Sequence, residues 1–121
     1  MPKVVHFELV ADDPERATKF FESAFDWQIK NWEGPMDYWL CNTGKEGEPG
    51  IHGAIMRNEK GAFNNIVIGV DDLDGYMDRV KKAGGELVTE KMPIPGVGWF
   101  CYFKDTEGNV IGMMQDDPEA K

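Results

Sequence analysis

Cysteine is scarce, with two residues in 121. That is too few for the disulfide framework of a small secreted scaffold, and both are expected to be reduced thiols. Long apolar runs are missing too. Nothing approaches the roughly 18 consecutive apolar residues of a membrane-spanning helix, so no membrane partner is expected. The opening MPKVVHFELV has no basic stretch, apolar core and small-residue cleavage site of a secretory signal, and a cytoplasmic protein is expected. Cations are in deficit: 13 Lys plus Arg face 22 Asp plus Glu, for a formal charge of −9. A nucleic acid backbone is bound by neutralising its phosphates, so that partner class is excluded. Apolar residues are not scarce. At 41% hydrophobic and 29% charged the chain has enough apolar surface to fold. Its length suits one domain over 1–121 that buries about two thirds of the surface its unfolded form exposes.

The first clear period is Val4 to Ala11, an alternating strand. Phe7, Leu9 and Ala11 share its apolar face; His6, Glu8 and Val10 share the other. In the following Asp12-Asp13-Pro14-Glu15, Asp13 suits a helix cap and Pro14 the first helical turn. Ala17, Phe20, Phe21, Ala24 and Phe25 then recur at the spacing that lines one side of a helix, predicted to pack on Phe7 and Leu9. Strands are expected over Trp27 to Trp32, Tyr38 to Asn42 and Ile51 to Arg57, separated by Gly34-Pro35 and by a polar GKEGEPG turn.

Offset by 59 or 60 positions, the chain repeats itself. Asn65 to Val70 reproduces the first strand and Asp71-Asp72 follows as Asp12-Asp13 did. Leu73, Tyr76, Met77, Val80 and Ala83 give a second helical stripe, closed by Gly84-Gly85. Trp39-Leu40-Cys41 matches Trp99-Phe100-Cys101 at 60, and Gly53 to Met56 matches Gly112 to Gln115 at 59. The modules are 1–57 and 62–116. Lys91 to Gly98 is too rich in proline to read as a strand and is expected to be a stiff loop. Asp105 to Asn109 is expected to be a turn, and Gln115 to Lys121 a solvated acidic tail.

Two strand-helix-three-strand modules carrying VHFELVADDPERATKFFESAFDW, MPIPGVGWF and DTEGNVIGMMQ resemble the vicinal oxygen chelate superfamily. That superfamily includes glyoxalase I, the extradiol dioxygenases and bleomycin resistance proteins. Together these segments look like its subgroup of predicted enzymes related to lactoylglutathione lyase. The resemblance implies an α+β fold in which two tandem βαβββ modules form an eight-stranded, cup-shaped mixed sheet, helices outside, around a small-molecule ligand. It also implies a homodimer. Metal-using members take ligands from the first and last strands of each module, which here fall on His6, Gly53, Asn65 and Gly112. Only His6 is a good donor, so no metal and no other cofactor is expected. Strict alternation from Gly53 turns His52 to the opposite face unless a bulge redirects it.

His6 and Glu8 lie two residues apart on one strand face, with α-carbons about 6.6 Å apart. A carboxylate beside an imidazole makes a general acid or base, and the pair is the candidate catalytic dyad; it also reads as an ion pair lining the site. Trp39, Cys41, Trp99 and Cys101 stand at equivalent places, either as aromatic walls for a flat ligand or as core. With Asn65 and Met114 they are the candidate substrate-binding residues. Three functions fit: a metal-independent lyase or isomerase using His6 and Glu8; a protein sequestering a cationic or aromatic compound, as in bleomycin resistance; and a metal-dependent glyoxalase-type lyase.

Overall fold

The computed structural model describes residues 1–32, 34 and 37–121. The chain forms two compact units, His6–Asn65 and a second comprising Met1–Val5 with Ile66–Lys121. Strand β1 (Lys3–Ala11) contributes its first residues to the latter and the rest to the former. Among the described residues there is no helix long and apolar enough to cross a membrane.

In the His6–Asn65 unit, β1 is followed by α1 (Pro14–Phe25), β2 (Gln28–Asn31), β3 (Tyr38–Asn42) and β4 (His52–Arg57). The strands lie in the order β2-β3-β4-β1, with β1 and β4 parallel and the other neighbours antiparallel. Helix α1 begins where expected: the Asp13 carboxylate accepts from the Arg16 amide at 3.1 Å, and Pro14 enters the first turn. It ends at Asp26, whose φ of 61° is left-handed. Trp39, Cys41 and Ile55 form the buried core beneath the helix, with Phe7, Ala11, Ala17, Phe21, Trp27 and Ile29 packed against them. Phe21 and Trp27 stack at 4.7 Å. The expected Gly34-Pro35 turn falls partly outside the described residues.

The other unit repeats the plan with β5 (Asn65–Gly69), α2 (Leu73–Lys82), β6 (Glu86–Leu87), β7 (Met92–Ile94), β8 (Gly98–Lys104) and β9 (Val110–Asp116). Its strands run β5-β9-β8-β6, with β7 pairing β8 separately. Asp72 caps α2 through the Gly75 amide, and Gly84 follows the helix at φ 98°. Val70, Leu73, Cys101, Phe103 and Met113 are its core. The α+β reading with two βαβββ modules is what the structure contains, plus one strand more than eight among the described residues. That strand corrects the stiff-loop expectation. Pro93 sits opposite Trp99 in a short strand, where its missing amide proton does not interrupt the main ladder. The tail differs as well: β9 runs to Asp116, Ala120 is buried, and its carbonyl accepts from Gly96. The Asp105 turn forms, its carboxylate accepting from Glu107 and Asn109.

Candidate active site

Residues that alternate with the core positions of the His6–Asn65 unit face away from α1, and the candidate site stands on that face. On β1 these are His6, Glu8 and Val10; on β3, Tyr38 and Leu40; on β4, His52, Ala54 and Met56. Glu8 is 6% exposed. A buried carboxylate is costly unless donors surround it, and here Oε2 accepts from the Tyr38 hydroxyl at 2.6 Å while Oε1 accepts from Asn65 Nδ2 at 2.9 Å.

His6 and Glu8 are therefore joined through Tyr38. The imidazole Nε2 lies 2.7 Å from the same hydroxyl. A phenol has one proton, and Tyr38 gives it to Glu8, so His6 Nε2 must carry a proton and donate to the tyrosine oxygen. In the neutral ring this leaves the lone pair on Nδ1. Burial holds the His6 pKa below its ordinary 6.5, with the charge of Glu8 pulling the opposite way. The ring is thus neutral at pH 7 and equipped to accept a proton.

Asn65 faces Glu8 with its amide nitrogen. Nδ2 also donates to the Phe63 carbonyl at 3.1 Å, and because both partners are acceptors the NH2 end is fixed toward them. Its Oδ1 is buried with no hydrogen-bond partner among the described residues.

His52 corrects the sequence reading. It is the register partner of His6 and shares its face without a bulge, whereas Gly53 pairs with Phe7 and faces α1. Its Nδ1 accepts from the Thr43 amide at 3.0 Å. The cause is a one-residue slip: Cys41 pairs with Gly53 and Cys101 with Met113, so the last strands of the two modules correspond at an offset of 60, not 59. A shift of one residue reverses every side chain.

Gly53 and Gly112, two of the four implied metal-ligand positions, have no side chain to offer, and Gly53 faces α1 rather than the side of His6. A side chain at Gly53 would start 2.5 Å from the Phe7 ring, within the core under α1. One at Gly112 would start 2.6 Å from Phe100. Asn65 offers Glu8 a donor nitrogen rather than a ligand oxygen, and both Glu8 oxygens have partners. No group of three His, Cys, Asp or Glu suited to a metal occurs among the described residues.

The aromatic-wall expectation also changes. Trp39 and Cys41 lie in the core under α1, on the face opposite His6. Trp99 and Cys101 pack in the core beside α2, with the Trp99 indole donating to Asp117 at 3.0 Å. In each pair the tryptophan and the cysteine, two residues apart on one strand, share the core side, opposite the residues that alternate with them. Burial pushes both thiols up to about 11, which removes thiolate chemistry at neutral pH. In the second unit Met114 lies beside Phe100 and Gly69, away from the core residue Met113. Tyr38 is not singled out by the sequence pattern, whereas His52 is, but on the wrong face. For Tyr38 the available signal was its place directly before the core residue Trp39, which puts it on the open face.

Residues 3–113 match the family model described as Glyoxalase/Bleomycin resistance protein/Dioxygenase superfamily. The chain is 27% identical over 127 aligned residues to the probable lactoylglutathione lyase of Vibrio parahaemolyticus, covering 94% of the chain and 91% of that protein. It is 26% identical to the CFP32 protein of Mycobacterium tuberculosis over 93% of the chain, but spans only 43% of that relative's length. Among solved structures, methylmalonyl-CoA epimerase from Mycobacterium tuberculosis shares the fold, with a TM-score of 0.73 and 16% identity over 95% of this chain and 88% of that one.

Proposed function

The chain belongs to the Glyoxalase/Bleomycin resistance protein/Dioxygenase superfamily, and within it we propose a metal-independent lyase or isomerase that moves a proton on a small molecule. The observation that supports this most is the hydrogen-bonded chain from His6 through Tyr38 to buried Glu8. The base is the His6 Nδ1 lone pair. As His6 takes up a proton, the new positive charge lies one hydroxyl away from a carboxylate already held by two donors. That carboxylate favours the imidazolium more than it favours the neutral ring, so part of the charge developed in the transition state is stabilised. Return of the proton to the other face of the same carbon would isomerise the substrate; loss of a neighbouring group would make the reaction a lyase.

The substrates worth testing come from the names of the relatives. Lactoylglutathione and methylmalonyl-CoA are both acyl thioesters with a hydrogen on the carbon next to the carbonyl, the type of proton an imidazole can remove. Incubation of each with the protein in D2O, followed by proton NMR, reads the exchange of that hydrogen. Exchange that survives EDTA treatment and falls by about 10²- to 10⁴-fold in His6→Ala supports the reading. A compound that raises the melting temperature without exchange or turnover favours the sequestering function instead. Exchange abolished by EDTA and restored by zinc or nickel favours the metal-dependent lyase.

A further inference from the structure

His52 takes no part in the hydrogen-bonded chain from His6 to Glu8, yet it stands beside it. It is the register partner of His6 on the neighbouring parallel strand, so the two α-carbons are about 4.8 Å apart and both side chains leave the face away from α1. Each ring is anchored through one nitrogen. Tyr38, which opens β3, holds His6 through Nε2 at 2.7 Å, and Thr43, just past the end of β3, holds His52 through Nδ1 at 3.0 Å. A backbone N–H can only donate, so Nδ1 of His52 accepts and the proton of the neutral ring sits on Nε2. The Thr43 hydroxyl, 3.3 Å from the same nitrogen, gives its own proton to the Ile51 carbonyl at 2.7 Å. Among the described residues neither Nδ1 of His6 nor Nε2 of His52 has a partner. One imidazole presents a lone pair and its neighbour an N–H.

We propose that the His52 Nε2–H is the catalytic donor to the carbonyl oxygen of the substrate whose neighbouring C–H is attacked by His6, an assignment that rests on the proton-moving reading above. As His6 Nδ1 takes the proton, the C–H bond breaks. Its electron pair forms the carbon–carbon double bond of an enolate, and the carbonyl π pair moves onto oxygen. The His52 N–H holds that oxygen without giving up its proton, and the bond strengthens as negative charge gathers there. Return of the proton from His6 reverses these movements, so no other reactant is consumed. Other donors on the open face are committed or further away. Tyr38 gives its proton to Glu8, and Asn65 gives its amide hydrogens to Glu8 and Phe63. Asn42 and Lys30 stand two and three strand spacings from β1, about 10 and 14 Å, whereas His52 is on the adjacent strand. The substrate class follows: a carbonyl compound with a hydrogen on the adjacent carbon, bound with that hydrogen toward His6 and the oxygen toward His52.

Exchange in D2O by the full chain, with lactoylglutathione and methylmalonyl-CoA as probes, tests this in His52→Ala and His52→Gln. Loss of the donor is expected to lower kcat for exchange by about 10²-fold while KM changes by less than about threefold, because the bond counts most in the transition state. Glutamine keeps an N–H at the end of its side chain and is expected to recover part of the loss. Urea unfolding confirms that each variant keeps its fold. A raised KM at unchanged kcat, the mark of binding alone, overturns the assignment. Exchange by His52→Ala at the wild-type rate, with His6→Ala still inactive, also overturns it and leaves the His6 base standing. No exchange of either thioester by the wild type removes the His6 base and the role of His52 with it. A measurement without substrate tells these failures apart: NMR correlation of the ring protons with the ring nitrogens is expected to show His52 as the Nε2–H tautomer. A proton on Nδ1 instead overturns the role of His52 whatever the exchange result.

Discussion

At the scale of single residues, the site turns on one hydroxyl. The spacing of His6 and Glu8 could be read directly, since alternation along a strand puts them on one face. Their link could not, because Tyr38 arrives from another strand 30 residues further on. Tyr38→Phe keeps the ring and removes the bridge. Glu8 then loses a buried donor, a change that costs about 1–3 kcal/mol of stability, measurable by urea unfolding. Exchange activity is expected to fall while the bound ligand's affinity changes little, because the hydroxyl acts through His6. Titration separates the two forces on His6. Burial lowers its pKa and Glu8 raises it, so Glu8→Gln should move the His6 titration to still lower pH, as followed by NMR of the ring proton. A downfield ring signal titrating at or above 6.5 in that variant would contradict the assignment. The sign for stability follows: stability associated with the neutral imidazole is present above the ordinary 6.5 and is lost as pH falls through the lowered folded value.

Elements were more legible than their faces. Asp13-Pro14 and Asp72 mark the starts of both helices because capping is local chemistry, decided within four residues. The stripes of α1 and α2 are likewise periodic in the sequence itself. Strand registers are set by partners far along the chain, and here a misplaced offset turned His52 and Gly53 to the wrong sides. Cys41 pairs with Gly53 and Cys101 with Met113, which carries the offset of 60 into the next strand. Proline excludes a central strand but not a short outer one, so Pro93 is compatible with β7. The register makes a prediction at Gly53. Alanine there meets the Phe7 ring at 2.5 Å, and overpacking of this kind costs about 1–3 kcal/mol. A Gly53→Ala chain as stable as wild type in urea would mean that Phe7 does not fill that space.

For the whole molecule, the internal duplication was readable because each half repeats one pattern of caps, stripes and paired Trp-Cys positions. What it could not convey is that the halves have diverged in chemistry. The first carries His6, Glu8, Tyr38 and His52 on the face away from its helix, while the matching faces of the second carry Val67, Phe100, Gly112 and Met114. Composition could not show this, because equivalent strands keep their apolar core positions whatever stands on the other face. The two cores have no residue in common: Ile55 belongs to one and Val70 to the other. Ile55→Val is expected to cost about 0.5–1.5 kcal/mol, with a larger loss for Val70→Ala. Sites without shared partners usually add within about 0.5 kcal/mol, so the double variant should lose the sum of the two in urea unfolding. A deficit well beyond that sum would show the cores to be energetically coupled, and the duplication would then describe the sequence better than it describes the packing.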